Sequence, residues 1–471
     1  MIKISQNTKK ALANKKLQNN LTHVLGLTLH SRNEAVAEVH NWEQLRQHAS
    51  SVKAHTLSKL AEYLTDLEDK VQEQGGKVVW ANTAQEAVEF ILDLARRKKV
   101  DKVIKGKSML TEEIHLSEAL KRSKIDPIET DLGEYIVQLA GETPSHLLAP
   151  ALHKSRQEIA ELFVDKVGMS PTEDVFEITE IARKILRQHF LTARMGITGV
   201  NFGVADTGTI VIVENEGNIR LAVSMPEIHV AVMGIEKVIP RFSDLAVFLK
   251  LLTRSATGQK ISTYVNLLNG PRRLGEIDGP KEFYLVLVDN GRSRVLEDPL
   301  LRQTLFCIRC GACQNICPVY QRLGGHAYES TYQGPIGAIL TPQLTSLDEA
   351  PEHPHVSSLC GACYDVCPVK IEIPRILLKL REKAQASAKG RIFQLPFMRW
   401  GFYCWARVMR SPTLYSLSGR LLRVLAKNFF GAGKLYLNFA PFSHWFLERE
   451  LPDIPEESFR ERYLSQRGTD G

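Results

Sequence analysis

The chain has 471 residues, 44% of them hydrophobic and 24% charged, with a formal net charge of +7. That is the make-up of a soluble globular protein with room for two or three domains. The polar, basic N-terminus MIKISQNTKKALANKKLQ lacks the apolar core of a secretory signal, and no apolar run reaches the roughly 18 residues that span a bilayer. The excess charge is local. Lys383 to Leu447 holds ten Lys or Arg and no Asp or Glu, and the remainder holds 50 basic and 53 acidic residues.

Residues 1–75 form a helical N-terminal region: AVAEVHNWEQLRQHASSVKAHTLSKLAEYLTDLEDKVQEQGG places apolar residues at three- and four-residue spacing and stops on Gly75-Gly76. An α/β region follows over 76–295. KVVWA (77–81) is expected as a buried strand, TAQEAVEFILDLARRKKV as a helix, DKVIKGKSM as a strand, TEEIHLSEALKRSKI as a helix and DPIETDL as a strand. Thr83 and Thr111 precede acidic helix starts and are the expected N-caps. Alternation on this scale implies βαβ units and a parallel sheet. Helices dominate 140–195, with loop signals at Gly141-Glu-Thr-Pro144. In 196–240 the strands GTIVIVE, IRLAVS and IHVAVMG are separated by Gly208, Gly217 and Pro226. A helix at 243–256 and strands at YVNLLNGP and EFYLVLVD complete the region.

The stretch 296–382 carries the chemistry. Cys307, Cys310, Cys313 and Cys317-Pro318 spell C-x2-C-x2-C-x3-C-P, the run that wraps an iron–sulfur cube in bacterial-type ferredoxins. The last cysteine is expected to start a short helix that leads to a second cube. Gly311 suits the tight loop, because a residue without Cβ lets backbone N–H groups approach cluster sulfur. Forty-three residues after Cys317 comes Cys360, then Cys363 and Cys367-Pro368, and both runs read C-G-A-C-x-x-x-C-P-V. Zinc knuckles pair their ligands across a longer spacer, and disulfides do not suit a chain in which no export signal is expected. Seven of the eight cysteines lie in the two runs, with only Cys404 outside. This usage points to a reducing cytosol. The segment 324–344, rich in Gly and Pro, is expected as a loop over the clusters, and IPRILLKLREKAQ as the closing helix.

In two-cluster modules the fourth cysteine of each run ligates the other cube. One site then holds Cys307, Cys310, Cys313 and Cys367. The other holds Cys317, Cys360 and Cys363, and the fourth place falls on Ser357. Three readings stay open: a 4Fe–4S cluster with a non-cysteine ligand or an open iron, a 3Fe–4S cluster, or completion by a neighbour among Ser357, Ser358, His353 and His355.

The segments KGKSMLTEEI (105–114), ETDLGEYIVQLAGETPSHLLAPALHK (129–154), GITGVNFGVADTGTIV (196–211) and NGPRRLGEIDGP (269–280), with both cysteine runs and the Trp- and Arg-rich tail, resemble the lactate-utilisation protein B family. The resemblance implies an α/β LUD domain, similar to the ribose-phosphate-isomerase and CoA-transferase class, ahead of an α-helical two-cluster ferredoxin-like module and a basic aromatic helical tail (383–471). It assigns Cys307, Cys310, Cys313 and Cys367 to one cluster and Cys317, Cys360 and Cys363 to the other. It also implies two partners, a cysteine-rich iron–sulfur subunit and a second LUD protein, and a role as electron-transfer subunit in oxidising L-lactate to pyruvate.

An alternative makes the LUD domain itself catalytic on a small carboxylate, with Asp131, Glu134, His146, His153, Arg272, Arg273 and Glu276 as candidates. An arginine pair can clamp a carboxylate, although a surface turn explains Arg272 and Arg273 equally simply. Gly203-Val-Ala-Asp206-Thr-Gly208 reads as a tight turn ahead of a strand rather than a phosphate cradle. A third reading is an iron–sulfur redox sensor or nucleic-acid binder using the tail. That tail (397–446) holds three of the five tryptophans. Docking to a partner suits it first and contact with the inner membrane face second, and nucleic acid is not expected. Cys404 there reads as an ordinary apolar residue.

Overall fold

The computed structural model describes residues 4–386, 396–430, 455 and 457–467. The chain divides into two units, 1–390 and 391–471.

The first unit opens with helices Ile4–Ala13, Lys15–Ala37, Trp42–Ser58 and Leu60–Glu73. Six parallel strands follow: β1 (Lys77–Ala81), β2 (Lys102–Lys105), β3 (Asp126–Glu129), β4 (Met195–Gly199), β7 (Ile228–Gly234) and β10 (Glu282–Val288), in the order β1-β10-β7-β4-β2-β3. One row across the sheet runs Lys77, Tyr284, Val230, Ile197, Lys105, Glu129. The interior strands β7 and β10 are buried on both faces because helices cover both. A smaller sheet joins β8 (Val238–Ile239), β5 (Phe202–Val204), β6 (Thr209–Glu214) and β9 (Tyr264–Leu268) in that order. One continuous core links Leu64, Phe202, Met233, Phe248 and Leu285 to Leu305, Ile336, Ile373 and Leu377 near the cysteines. That shared packing seats the cysteine-rich region on the α/β region.

Several local expectations change. β1 is an edge strand rather than a buried one, and Trp80 is exposed with its Nε1 donating to Glu68 at 2.8 Å. Thr83 caps its helix, but Ser108 caps the helix Met109–Glu113 by accepting from the Thr111 N–H. Thr111 is buried and instead accepts from Lys105 Nζ at 3.1 Å. The stretch IRLAVS is a helix, Asn218–Ser224, because the Glu214 carboxylate accepts from the N–H groups of Ile219 and Arg220, both at 2.8 Å. A short apolar run cannot by itself separate strand from helix. Within 324–344, Gly334–Leu344 is a nearly wholly buried helix with Pro335 in its first turn, where proline is tolerated. Strands β4 and β5 escaped the pattern because glycines interrupt them.

In the second unit, Pro396–Arg410, Pro412–Phe430 and Phe459–Arg467 are helical. Trp400, Phe402, Tyr403 and Trp405 are exposed, and Cys404 is half-buried. Trp445 and the rest of 431–446 lie outside the described residues. No helix among the described residues is long and apolar enough to cross a membrane.

Candidate iron–sulfur centres and an adjoining pocket

The two cysteine loops share one backbone. Arg309 and Leu359 both take positive φ, 61° and 57°, and so do Gly311 and Gly361 at 76° and 88°. Short helices then begin at Ala312 and Ala362. In the first loop the Arg309 N–H donates to Cys307 Sγ at 3.4 Å. In the second the Leu359 N–H donates to Ser357 Oγ at 3.1 Å. Ser357 therefore stands in the turn position that Cys307 fills in the first loop. Cys317 closes the helix Ala312–Ile316 rather than starting one, and Cys367 follows the helix Ala362–Asp365.

Cys307, Cys310, Cys313 and Cys367 line one cavity together with Gly311, Ile336 and Ile371. Burial, and then the neighbouring thiol charges, pushes the thiols of Cys310 and Cys313 far up and that of Cys367 to about 11. Burial followed by Cys317 and Cys360 pushes Cys363 to about 12. Cys317 is raised by burial and by Cys360. Buried thiols crowded in this way ionise only when a positive centre binds them. Backbone N–H groups of Arg309, Tyr320 and Ile371 point at Cys307, Cys317 and Cys367 sulfur, as they do around iron–sulfur clusters. Among the described residues no three His, Cys, Asp or Glu converge tightly enough for a single ion. Thiols ringing a cavity suit a polynuclear cluster. The residues present thus fit iron–sulfur chemistry. Cys310, Cys317, Cys363 and Cys367 are buried, whereas Cys360 and Ser358 are exposed.

Side chains from other elements hold the loops. Arg46 donates to the carbonyls of Cys367 and Tyr364 at 2.9 and 3.0 Å, and Arg32 to that of Val366 at 3.4 Å. His146 Nε2 meets Asn315 Oδ1 at 2.9 Å, and Asn315 donates on to the Ala256 carbonyl. Arg309 Nη2 reaches Glu236 Oε1 at 3.4 Å, and its guanidinium lies 4.6 Å from the Tyr332 ring centre. Glu236 in turn pairs with the fully buried Arg292 at 2.6 Å.

A pocket of about 220 Å³ opens at the carboxyl ends of β2, β4 and β7, where open parallel sheets characteristically bind ligands. Its walls include Lys107, Asn201, Glu236, Lys237, Arg309 and Tyr332. Two glycines make room for it. A Cβ on Gly199 would lie 2.4 Å from Ser108 Oγ, and one on Gly234 would lie 2.2 Å from Glu236 Oε2. Leu147 and Arg309 line both this pocket and the cysteine cavity.

Residues 64–288 match the LUD domain family, and residues 303–371 match the 4Fe-4S dicluster domain family. The chain is 44% identical over 423 residues to lactate utilization protein B of Oceanobacillus iheyensis, covering 90% of this chain and 88% of that one. It is 42% identical over 434 residues to the Bacillus thuringiensis and Bacillus cereus proteins of the same name, covering 92% of this chain and 90% of each. The chain belongs to the lactate utilization protein B family. Its dicluster domain implies two iron–sulfur clusters. A crystal structure of a DUF162 family protein from Deinococcus radiodurans covers 49% of this chain and 98% of its own, at 13% identity and a TM-score of 0.27. A likeness at that score carries no argument.

In this member of the family Asp131, Glu134 and His146 all lie within electrostatic reach of Lys107, whereas the remaining candidates lie apart from the pocket wall. Arg272, Arg273 and Glu276 belong to one surface turn: Arg272 donates to the Ile277 carbonyl, and the Arg273 N–H to Glu276. Asp131 caps the helix Leu132–Ala140. Glu134 is buried; burial raises its carboxyl to about 8 against the pull of Lys107, 3.9 Å away. His146 is wholly buried, and burial lowers it to about 4, so it serves as a neutral strut. His153 bonds Ser145 and Glu142. Gly203 lies in β5, Ala205–Gly208 is the turn that joins β5 to β6, and Asp206 accepts from the Phe242 N–H at the start of the helix Phe242–Thr257. His353 is fully buried and His355 exposed, outside the repeated turn. Sequence reasoning missed Lys107, Lys237 and Arg309. Only the place of Arg309 between two cysteines of the first run was there to flag it.

Proposed function

We propose that this protein is the iron–sulfur electron-transfer subunit of a multi-protein system that oxidises L-lactate to pyruvate. The observation that carries the reading is the doubled cysteine loop, one set of thiols lining a shared cavity and the other reaching the surface at Cys360. Kinship with proteins named for lactate utilization supplies the substrate. Bound clusters would supply one-electron transfer, so the two electrons of a hydride must be split before they reach them. We assign Cys307, Cys310, Cys313 and Cys367 to one 4Fe–4S cluster, and Cys317, Cys360, Cys363 and Ser357 Oγ to the other. The equivalent turns of Cys307 and Ser357 support that fourth ligand. Around them the chain supplies N–H donors to sulfur and the cations Arg32, Arg46 and Arg309, all of which stabilise extra negative charge.

The α/β region is read as a scaffold of the sugar-isomerase and CoA-transferase class, consistent with its parallel sheet. The exposed aromatic helix Pro396–Arg410 is read as the docking face for a cysteine-rich iron–sulfur subunit, with a second LUD protein completing the system in the cytoplasm. The test is reconstitution of the purified proteins with L-lactate and an artificial acceptor. Turnover that requires both partners and this chain's clusters supports the reading. Equal turnover by this chain alone shows instead a catalytic LUD domain.

A further inference from the structure

The pocket at the strand ends is built for an anion. Arg309 Nη1 and Lys107 Nζ are buried there without a hydrogen-bond partner. Lys237 forms no ion pair or hydrogen bond among the described residues. The one acid in the wall, Glu236, is already neutralised by Arg292 at 2.6 Å and Arg309 at 3.4 Å. From outside the wall the carboxylates of Asp131, Glu134, Glu216 and Glu129 act on Lys107, but Glu134 comes only to 3.9 Å, too far for a hydrogen bond, and none of them satisfies its Nζ. A buried donor left unpaired is costly, so three cationic groups converging on one cavity point to a ligand with acceptor oxygens.

Size and lining narrow the class. Val200, Val213, Ile219 and Leu147 add apolar wall beside the cations, and Tyr332 stacks on Arg309. A small organic acid with one charged end and a short carbon body matches that division. Because Arg309 also walls the cysteine cavity, whatever binds here lies one side chain from the first cluster site.

We propose that Lys107, Lys237 and Arg309 form a binding site for a small carboxylate of the 2-hydroxy- or 2-oxo-acid class, set directly against the cluster loop that contains Arg309. The choice of that class rests on the lactate reading above, whereas the cationic pocket stands without it. The competing role for these cations is to offset cluster charge alone.

Calorimetry on the anaerobically purified full chain decides between them, with L-lactate, pyruvate and inorganic phosphate as separate titrants. One of the two acids should bind at one site per chain. Lys237→Gln and Lys107→Gln should each weaken it at least tenfold while keeping the wild-type cluster absorbance, which reports folding. Binding should also shift the electron paramagnetic resonance line shape of the reduced first cluster. No heat from either acid, binding of phosphate alone, or equal affinity in both variants would overturn the proposal. Iron and sulfide content of the same samples tests the cluster assignment separately. A brown protein that binds neither acid sinks only the pocket, and a colourless one that binds sinks only the clusters.

Discussion

Arg292→Met should cost the first unit about 3–5 kcal/mol, the usual penalty for removing one partner of a buried ion pair. Arg292 is 1% exposed and donates to Glu236 at 2.6 Å, to both oxygens of Glu113 at 2.9 and 2.7 Å, and to the Asp289 carbonyl at 3.0 Å. Methionine fills much of the same space but donates nothing. Burial pushes the Glu236 carboxyl up, while Arg292 and then Arg309 and Lys237 hold it down at about 2, against an ordinary 4.5. A depression of that size corresponds to about 3 kcal/mol at neutral pH, in line with the penalty above. The acid dependence should then reverse. In the wild type this contribution is complete above about pH 4.5 and is lost as pH falls toward 2, so this contribution stays flat from pH 7 to 5. In the variant, burial opposed only by the remaining cations carries the folded carboxyl above its unfolded value. Relative to the wild type, stability should then rise on going from pH 7 to 5, by at most about 1.4 kcal/mol per pH unit for each of Glu236 and Glu113, the two carboxyls that lose Arg292. Anaerobic urea unfolding, followed by tryptophan fluorescence at both pH values, measures each change. A loss under about 1 kcal/mol at pH 7, or variant and wild type moving in parallel with pH, would refute the reasoning.

Ser357→Cys should leave the second cluster with four thiolates, and Ser357→Ala should convert it on oxidation to a three-iron species with its own paramagnetic signal. Identical spectra for wild type and Ser357→Ala would remove Ser357 as ligand. Gly311→Ala should lower iron content and cost roughly 1–2 kcal/mol, because its φ is 76° and the new Cβ would sit 3.1 Å from Leu148 Cδ1; unchanged iron stoichiometry and melting temperature would count against it. Gly337→Ala should destabilise by at least about 2 kcal/mol, since a Cβ there would fall 2.0 Å from the Tyr332 carbonyl oxygen. A differential scanning experiment showing no shift would contradict that packing. Truncation after Ala388 should abolish co-purification with the cysteine-rich partner and leave liposome sedimentation unchanged. Liposome binding lost on truncation would instead favour the membrane face.

Much of this was legible because periodicity and spacing are local. The cysteine runs announced themselves by number and order, and the alternation over 77–129 followed from period. The strand expected over DKVIKGKSM nonetheless stops at Lys105, and the helix expected over TEEIHLSEALKRSKI breaks at His115, whose φ of 53° separates Met109–Glu113 from Leu116–Arg122. What stayed hidden depends on contacts distant in sequence. Arg46 and Cys367 meet across 321 residues, and Arg292 and Glu113 across 179. Nothing near Lys237 marks it as the wall of a pocket, because its neighbours there arrive from β2, β4 and the cluster loop. The helix Gly334–Leu344 was masked by its own glycines and prolines, which here serve close packing rather than a turn. The turn shared by Cys307 and Ser357 was foreshadowed by register, but only the matching φ angles and N–H bonds show that both loops adopt it.

The central claim is that seven cysteines and one serine hold two four-iron cubes. Iron and acid-labile sulfide counting, joined to electron paramagnetic resonance on anaerobically purified protein, tests it most directly. The account predicts about eight irons and eight sulfides per chain, with signals that grow on reduction from both sites. Zinc in place of iron, or about four irons with a single reducible site, would contradict it.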